Sequence, residues 1–401
     1  MADRRLQIPS GMQDTLPGEC ARKRSLEQEF RRLFAAHGYQ EIETPILEYY
    51  DALDDSTWGY RPEHLWKTFD GKGRILAVRP DSTIPAVRLA AGRLGDAPLP
   101  LRLCYVQPAT KFRYDTLSML CEETQCGVEL MGEGSAQADA ECIALAIEAL
   151  RLAGLRDFQV ELGQAGFFAG FMQEAGLDDR QCAAVRELTE QKNALGIQLY
   201  LEKLAVSEDV ARRLQRLPML YGGPEILDEA EALTAHPLCR AAVRNLRDIL
   251  SLLEAYGCAD CVSIDLGMTH QANYYSGMIF RGMTAELGQL LLSGGRYDHL
   301  PGRYGREMPA TGFALSMKLL MIALERQGAT FAAPVPDALL AFDPACLGQA
   351  IAWAREQRAE GRSVAMLYGA SEEALQERLR EGLARSAVYM DPAGVRRYEG
   401  G

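Results

Sequence analysis

Strand signals in this chain fade near residue 168 and return only at Cys261. Whatever sheet it builds must therefore be assembled from two sequence blocks, with residues 168–256 carrying helical patterns alone between them. In the first block, apolar residues at helical spacing (Leu26, Phe30, Leu33, Phe34) predict a helix over 17–37, ended by His37-Gly38. Residues 41–48 alternate like a strand, and Pro45 assigns that strand to an edge or interface. A strand is expected over 74–80, then a helix over 84–92 capped from Asp81-Ser82-Thr83. Two antiparallel strands over 101–107 and 122–131 flank a loop, and 138–153 reads as an amphipathic helix.

The middle block predicts helices over 179–194, 207–214, 224–234 and 238–256. Strands resume over 261–266, 274–283 and 287–293, followed by a helix over 312–326. Pro334 to Pro336 reads as a linker into a unit that alternates strand and helix: 338–342, 346–360, 363–368 and 372–383. The expected division is a core over 1–167 and 257–330, a helical insertion over 168–256, and a small C-terminal α/β domain over 334–401. Turn-joined strands favour an α+β fold, with a mixed, mainly antiparallel sheet flanked by helices.

Composition narrows the function classes. Hydrophobic residues make up 48% and charged residues 24%, the balance of a soluble globular protein. There is no apolar run of membrane-spanning length, and residues 1–6 lead into a polar, turn-rich stretch rather than a signal peptide core. The ten cysteines form no framework, and Cys104 and Cys142 sit in apolar contexts, which predicts a reduced, cytoplasmic protein. Cys258 and Cys261 form a lone CxxC pair; zinc needs four ligands and no second pair has matching spacing, so neither metal nor cofactor is expected. The formal charge is −12 with no basic cluster, and residues 334–401 hold eight Arg, no Lys and ten acids. Nucleic-acid affinity comes largely from Lys and Arg at phosphates, so a nucleic-acid partner is not expected.

The chemistry-bearing residues recur in a definite order. Gly11 and Asp14 stand in the opening turn, followed by Thr44-Pro45 and Arg79-Pro80-Asp81-Ser82-Thr83. Next are Gln125-x-Gly127-x-Glu129-x-x-Gly132, Asn273-Tyr274-Tyr275-x-Gly277, Gly294-Gly295-Arg296-Tyr297-Asp298 and Gly312-Phe313-Ala314. In this order, over about residues 6 to 325, the chain resembles the catalytic core of class II aminoacyl-tRNA synthetases, histidyl-tRNA synthetase in particular. The resemblance implies that Asp81, Thr83, Lys111, Gln125, Glu129, Tyr274 and Tyr275 surround a bound histidine, and that Thr44-Pro45 belongs to a dimer interface. A histidine ligand carries a cationic amine and a ring N–H, both of which want acceptors in a partly dry site. Adjacent on a strand, Tyr274 and Tyr275 should face opposite sides, Tyr275 toward the ligand. Gly294-Gly295-Arg296 fits an anion-binding turn or close strand packing equally well.

Adenylate formation needs cations against the triphosphate, and losing one preorganised donor costs about 3 to 4 kcal/mol in the transition state. Lys111 and Arg113 stand where the synthetases have an Arg and, two residues on, a Glu. Ser118 to Thr124 replaces a run with two arginines, His270 occupies the position of a third, and Leu319 that of the motif 3 arginine. Ligand contacts without phosphate contacts resemble the regulatory subunits of ATP phosphoribosyltransferase, which descend from the same scaffold. That likeness implies a non-catalytic chain with no catalytic residues of its own. It implies a partnership with a short-form catalytic subunit in the first step of histidine biosynthesis, as a homodimer within a hetero-oligomer. It further implies that L-histidine is bound and feedback inhibition relayed. The alternative is a divergent but catalytic histidyl-tRNA synthetase.

Overall fold

One nine-stranded sheet gathers both sequence blocks. The computed structural model describes residues 6–9, 11–53, 65–110, 122–204, 206–269 and 274–400. Lys111, Arg113, Ser118 to Cys121 and His270 to Asn273 lie outside the described residues. The chain divides into two compact units, Met1–Asp14 with Lys23–Thr330 and Thr15–Arg22 with Phe331–Gly401.

Helix α1 (Pro17–Ala36) leads into β1 (Gln40–Glu41), β2 (Leu47–Tyr49), β3 (Lys67–Phe69) and β4 (Ile75–Val78). Helix α2 (Thr83–Gly92), the long strands β5 (Leu101–Thr110) and β6 (Glu122–Met131), helix α3 (Ala136–Leu152) and β7 (Phe158–Gln164) complete the first block. The helical stretch holds α4 (Ala165–Ala175), α5 (Asp179–Glu190), α6 (Ala194–Leu201), α7 (Glu208–Arg216), the short β8 (Tyr221–Gly222), α8 (Ile226–Leu233) and α9 (Pro237–Ala255). Strands β9 (Val262–Asp265), β10 (Met278–Thr284), β11 (Leu290–Arg296) and β12 (Ala310–Ser316) follow, then α10 (Met317–Arg326). The sheet order is β1-β5-β6-β12-β11-β10-β7-β9-β8, with β1·β5 and β7·β9 parallel and every other pair antiparallel. This mixed, mainly antiparallel sheet flanked by helices is the α+β, class II synthetase-like architecture expected from the motif order.

Residues of alternating sidedness place the core. Phe34 of α1 meets Phe313 edge-on at 6.2 Å on one face of the sheet. On the site side, Ala77, Ile84, Val87, Leu103, Tyr105 and Tyr297 belong to one buried apolar cluster. The C-terminal unit is a four-stranded sheet, β14 (Val364–Leu367), β13 (Ala338–Phe342), β15 (Ser386–Asp391) and β16 (Gly394–Glu399) in spatial order. Helix α11 (Leu347–Ala359) supplies Ala350 and Ala354 to the cluster around Leu340 and Val388, and α12 (Glu372–Arg380) supplies Leu375 and Leu379 to the one around Leu339 and Ala387.

Several sequence expectations need correction. The strand expected over 41–48 is two strands, β1 and β2, in different sheets. Pro45 has no N–H to give a ladder, and side chains take the neighbouring backbone groups: Gln107 Oε1 accepts from Thr44 N at 3.1 Å, while Arg79 Nη1 donates to Thr44 O at 2.5 Å and Pro45 O at 3.3 Å. The helix expected over 312–326 begins only at Met317, because 310–316 is a fully paired inner strand. Ser316 caps the helix, its Oγ accepting from Leu319 N at 3.3 Å. The helix over 179–194 breaks after Glu190; Lys192 takes a φ of 54°, and Asn193 Oδ1 caps α6 from Gly196 N at 2.7 Å. Strands β3, β7, β8, β15 and β16 have no counterpart among the expected elements; two residues, as in β8, carry no period.

Candidate functional site

Glu129 sits where three strands run side by side. Its cross-strand partners are Leu103 on β5 and Gly312 on β12, and Gly312 in turn faces Gly295 on β11. The glycines are spatial requirements. A Cβ on Gly312 would lie 2.2 Å from the Glu129 carboxylate, and one on Gly127 would lie 2.3 Å from Phe313 O and 2.7 Å from the Tyr105 hydroxyl. The spacing Gln125-x-Gly127-x-Glu129 therefore puts three residues on one face, with the middle one kept small so that Tyr105 can pass under it to Glu129.

The carboxylate is fully buried and its oxygens are occupied. Tyr105 Oη donates to Oε1 at 3.0 Å, Tyr297 Oη donates to Oε2, and the Thr83 hydroxyl bonds the same group. Burial pushes the Glu129 carboxyl up to about 8, and the nearby Asp81 charge adds to the rise; the bonds from Tyr297, Thr83 and Tyr105 oppose it. Asp81, 5% exposed, stands at the start of α2, where its Oδ1 accepts from Ile84 N at 3.2 Å. Gln125 is tied to the same corner: its Oε1 accepts from Ser82 N at 3.0 Å and its Nε2 donates to Glu123 Oε1 at 3.3 Å. Of the ligand residues expected from sequence, Asp81, Thr83, Gln125 and Glu129 thus converge, while Lys111 lies outside the described residues.

Tyr274 and Tyr275 differ from expectation. They precede β10 rather than lying on it, and their rings are neighbours, 4.6 Å apart and tilted by 45°. Without the strand's pleat there is no reason for opposite facing. Tyr274 meets the ring of Tyr297 edge-on at 6.0 Å. Tyr275 lines a cleft toward α5, and a Cβ on Gly295 would strike its ring at 2.8 Å. Both phenols are raised by burial first and feel the Glu129 and Asp81 charges.

Tyr105 and Tyr297, the donors to Glu129, were not singled out as ligand residues. A signal existed for each: Tyr105 is the residue opposite Gly127, and Tyr297 follows the Gly-Gly-Arg run. Arg296, whose role was open, is a structural tie. Its Nε donates to Asp139 Oδ2 at 3.1 Å, and Nη2 lies 2.9 Å from Asp139 Oδ1 in an ion-pair contact without hydrogen-bond geometry. Nη1 reaches Glu133 O and Asp298 Oδ1, and Nη2 reaches Ser135 O. The Cys258 and Cys261 thiols donate to the carbonyls of Leu253 and Cys258. Among the described residues, no group of three or more His, Cys, Asp or Glu could hold a metal ion.

The arrangement brings two buried carboxyl groups near enough for their charges to interact, among phenols and the Gln125 amide. Such a site suits a small cationic or ring-N–H ligand. Residues 11–320 match the family model described as histidyl-tRNA synthetase. The ATP phosphoribosyltransferase regulatory subunit of Acetivibrio thermocellus is 41% identical over 342 residues, covering 85% of this chain and 82% of that one. The equivalent subunit of Symbiobacterium thermophilum is 39% identical over 366 residues and covers 90% of each chain. This chain belongs to the ATP phosphoribosyltransferase regulatory subunit family.

A solved regulatory subunit/histidyl-tRNA synthetase from Bacillus halodurans superposes with a TM-score of 0.85 at 31% identity, covering 96% of this chain and 98% of that one. A histidyl-tRNA synthetase from a Nostoc species reaches 0.80 at 20% identity over 97% and 92%, a likeness of fold alone. At the motif 3 position this chain carries Leu319, an apolar residue in the first turn of α10.

Gly127→Ala should expose how tightly the corner is built. Its Cβ would meet backbone that cannot yield, so a loss of about 1–3 kcal/mol is expected. The check is thermal denaturation: a clear drop in Tm fits, and an unchanged Tm removes the steric role given to Gly127.

Proposed function

We propose that this chain is a non-catalytic regulatory subunit of ATP phosphoribosyltransferase that assembles with a short-form catalytic chain and binds L-histidine at the Glu129 corner. The observation that carries the histidine reading is the buried Glu129 carboxyl beside Asp81, held by three hydroxyls and raised by burial. A carboxyl in that state gains most from a ligand that brings positive charge or a ring N–H donor. Asp81, Thr83, Gln125 and Glu129 would form the acidic and amide side of the site, Tyr274 and Tyr275 its aromatic side, and Lys111 would complete it.

The same reading assigns the core to 1–167 and 257–330, the helical insertion to 168–256, and a reduced anticodon-binding-like domain to 334–401. The homodimer would use the small sheet β2-β4-β3 next to Pro45, where Ile46, Leu47, Tyr49, Phe69 and Ile75 are exposed. Setting is cytoplasmic, and among the described residues no helix is long and apolar enough to cross a membrane.

The test is co-purification with a short-form transferase, with light scattering to count protomers and an activity assay with and without histidine. Activity that depends on this chain and falls with histidine supports the reading; activity independent of it would refute the partnership. In the assembled complex, Glu129→Ala is expected to raise the histidine needed for half inhibition at least tenfold while leaving the complex intact. Unchanged inhibition would take Glu129 out of the sensor.

A further inference from the structure

The C-terminal sheet ends on one side at β14 and on the other at β16. The β14 edge is blunted, because Arg358 Nη2 donates to the Val364 carbonyl at 2.7 Å. The β16 edge is not. Gly400 N donates to Arg385 O at 2.8 Å, and the β15·β16 register continues from there as Ala387↔Tyr398, Tyr389↔Arg396 and Asp391↔Gly394. Opposed residues of an antiparallel pair alternate between bonded and non-bonded. Tyr398 and Arg396 therefore turn their backbone groups inward to β15, while Val395, Arg397 and Glu399 turn theirs out to the open edge. The strand is also held in order. Glu372 of α12 accepts from Arg396 Nε at 2.6 Å and from Tyr398 Oη. Val395, Arg397 and Glu399 are exposed, and among the described residues the Arg397 and Glu399 side chains have no hydrogen-bond or ion-pair partner.

We infer that β16 is a self-association edge, which pairs antiparallel with β16 of a second copy about a two-fold axis at Tyr398. An ordered, open strand edge is a template for another strand, and a two-fold contact sets one patch against itself. Outward backbone groups bond only outward groups, so the axis must pass through a residue position. Centred on Arg396, Arg397 or Glu399, the pairing sets that residue against its own copy, like charge on like charge. Centred on Val395, it runs into the Pro392-Ala393 turn. Centred on Tyr398, it places Arg397 opposite Glu399 of the second copy twice over, and Tyr398 opposite its own copy. Opposite charges and aromatic pairs are both favourable cross-strand neighbours. Charges that guard an edge against indiscriminate pairing here select a single register, and two four-stranded sheets join as one of eight strands. The contact uses no residue of the β2-β4-β3 surface and needs no ligand.

The test uses the full chain. Arg397→Cys and Glu399→Cys, both at exposed positions without side-chain partners, are prepared separately. Each is oxidised alone and as an equal mixture of the two, then read on non-reducing gels. Wild type treated alike sets the background from the native cysteines. Directly opposed residues of a bonded pair have Cα atoms about 5.5 Å apart, within disulfide reach, whereas diagonal neighbours lie about 7–8 Å apart. In the Tyr398-centred register, residue 397 is opposed to 399 of the second copy and only diagonal to 397. The mixture is therefore expected to give at least tenfold more covalent dimer than either variant alone. No covalent dimer above the wild-type background, or a yield from either variant alone that matches the mixture, would overturn the inference.

Discussion

Glu129→Gln is expected to weaken histidine binding at pH 8.5, where the Glu129 carboxyl is mostly ionised, by about 30- to 1,000-fold, or roughly 2–4 kcal/mol, the cost of removing a charged partner from a buried hydrogen-bonded contact. The substitution keeps the shape and one acceptor, so the loss reports charge rather than packing. Calorimetry on wild type and variant checks it, and equal affinities would disprove the assignment of Glu129 to the ligand. The same variant carries a pH signature. The folded-state carboxyl titrates near 8, against 4.5 for an ordinary glutamate. Between those values the folded chain keeps a proton that the unfolded chain has released. Stability from this group is therefore greatest at low pH and is lost as pH rises from 4.5 through 8, by a few kcal/mol at about 1.4 kcal/mol per pKa unit. Without ligand, the difference in Tm between wild type and Glu129→Gln should move in the variant's favour from pH 5 to pH 8.5. A difference that stays flat would show that Glu129 is not desolvated as described.

Arg296→Ala should be the most damaging single change in the core outside the acidic corner. It leaves Asp139, which is 1% exposed, with a buried charge and no guanidinium, and it frees the carbonyls of Glu133 and Ser135. Breaking one side of a buried pair typically costs about 3–5 kcal/mol. Asp298 also loses its partner, and Asp298 Oδ1 accepts from Ala310 N at 3.0 Å while its own N–H binds Ser276 Oγ at 2.9 Å. Those bonds hold the segment leading to Tyr275. Denaturant unfolding should show the midpoint falling sharply at unchanged m-value. A midpoint within error of wild type would mean that Arg296 contributes little beyond surface charge.

Much of the architecture was legible because its patterns are long. The amphipathic run of α3, the ten-residue strands β5 and β6 and the helical middle block each span several turns or pleats, so tertiary packing had little room to override them. The errors fall where a local signal was short or had two uses. Gly312-Phe313-Ala314 reads as the start of a helix, but a glycine row across β11 and β12 is what lets Glu129 fit beneath it. Pro45 reads as the mark of a single edge or interface strand, yet that strand splits between two sheets because Arg79 and Gln107 satisfy the backbone there. Asp81, Thr83, Gln125 and Glu129, grouped by motif order, lie together in the fold. Tyr105 and Tyr297 were missed because register across three strands, rather than spacing along one, brings them to the carboxylate. The adjacent Tyr274 and Tyr275 share a side because they precede β10, and strand periodicity does not apply to them.

The central claim is that an amino-acid site has outlived amino-acid activation on this scaffold. It is tested most directly by a paired measurement on one preparation of the full chain: histidine binding by calorimetry, and histidine-dependent ATP–pyrophosphate exchange. Saturable histidine binding with exchange at the no-enzyme background is the predicted result. Robust exchange would contradict the account and make the chain a working synthetase.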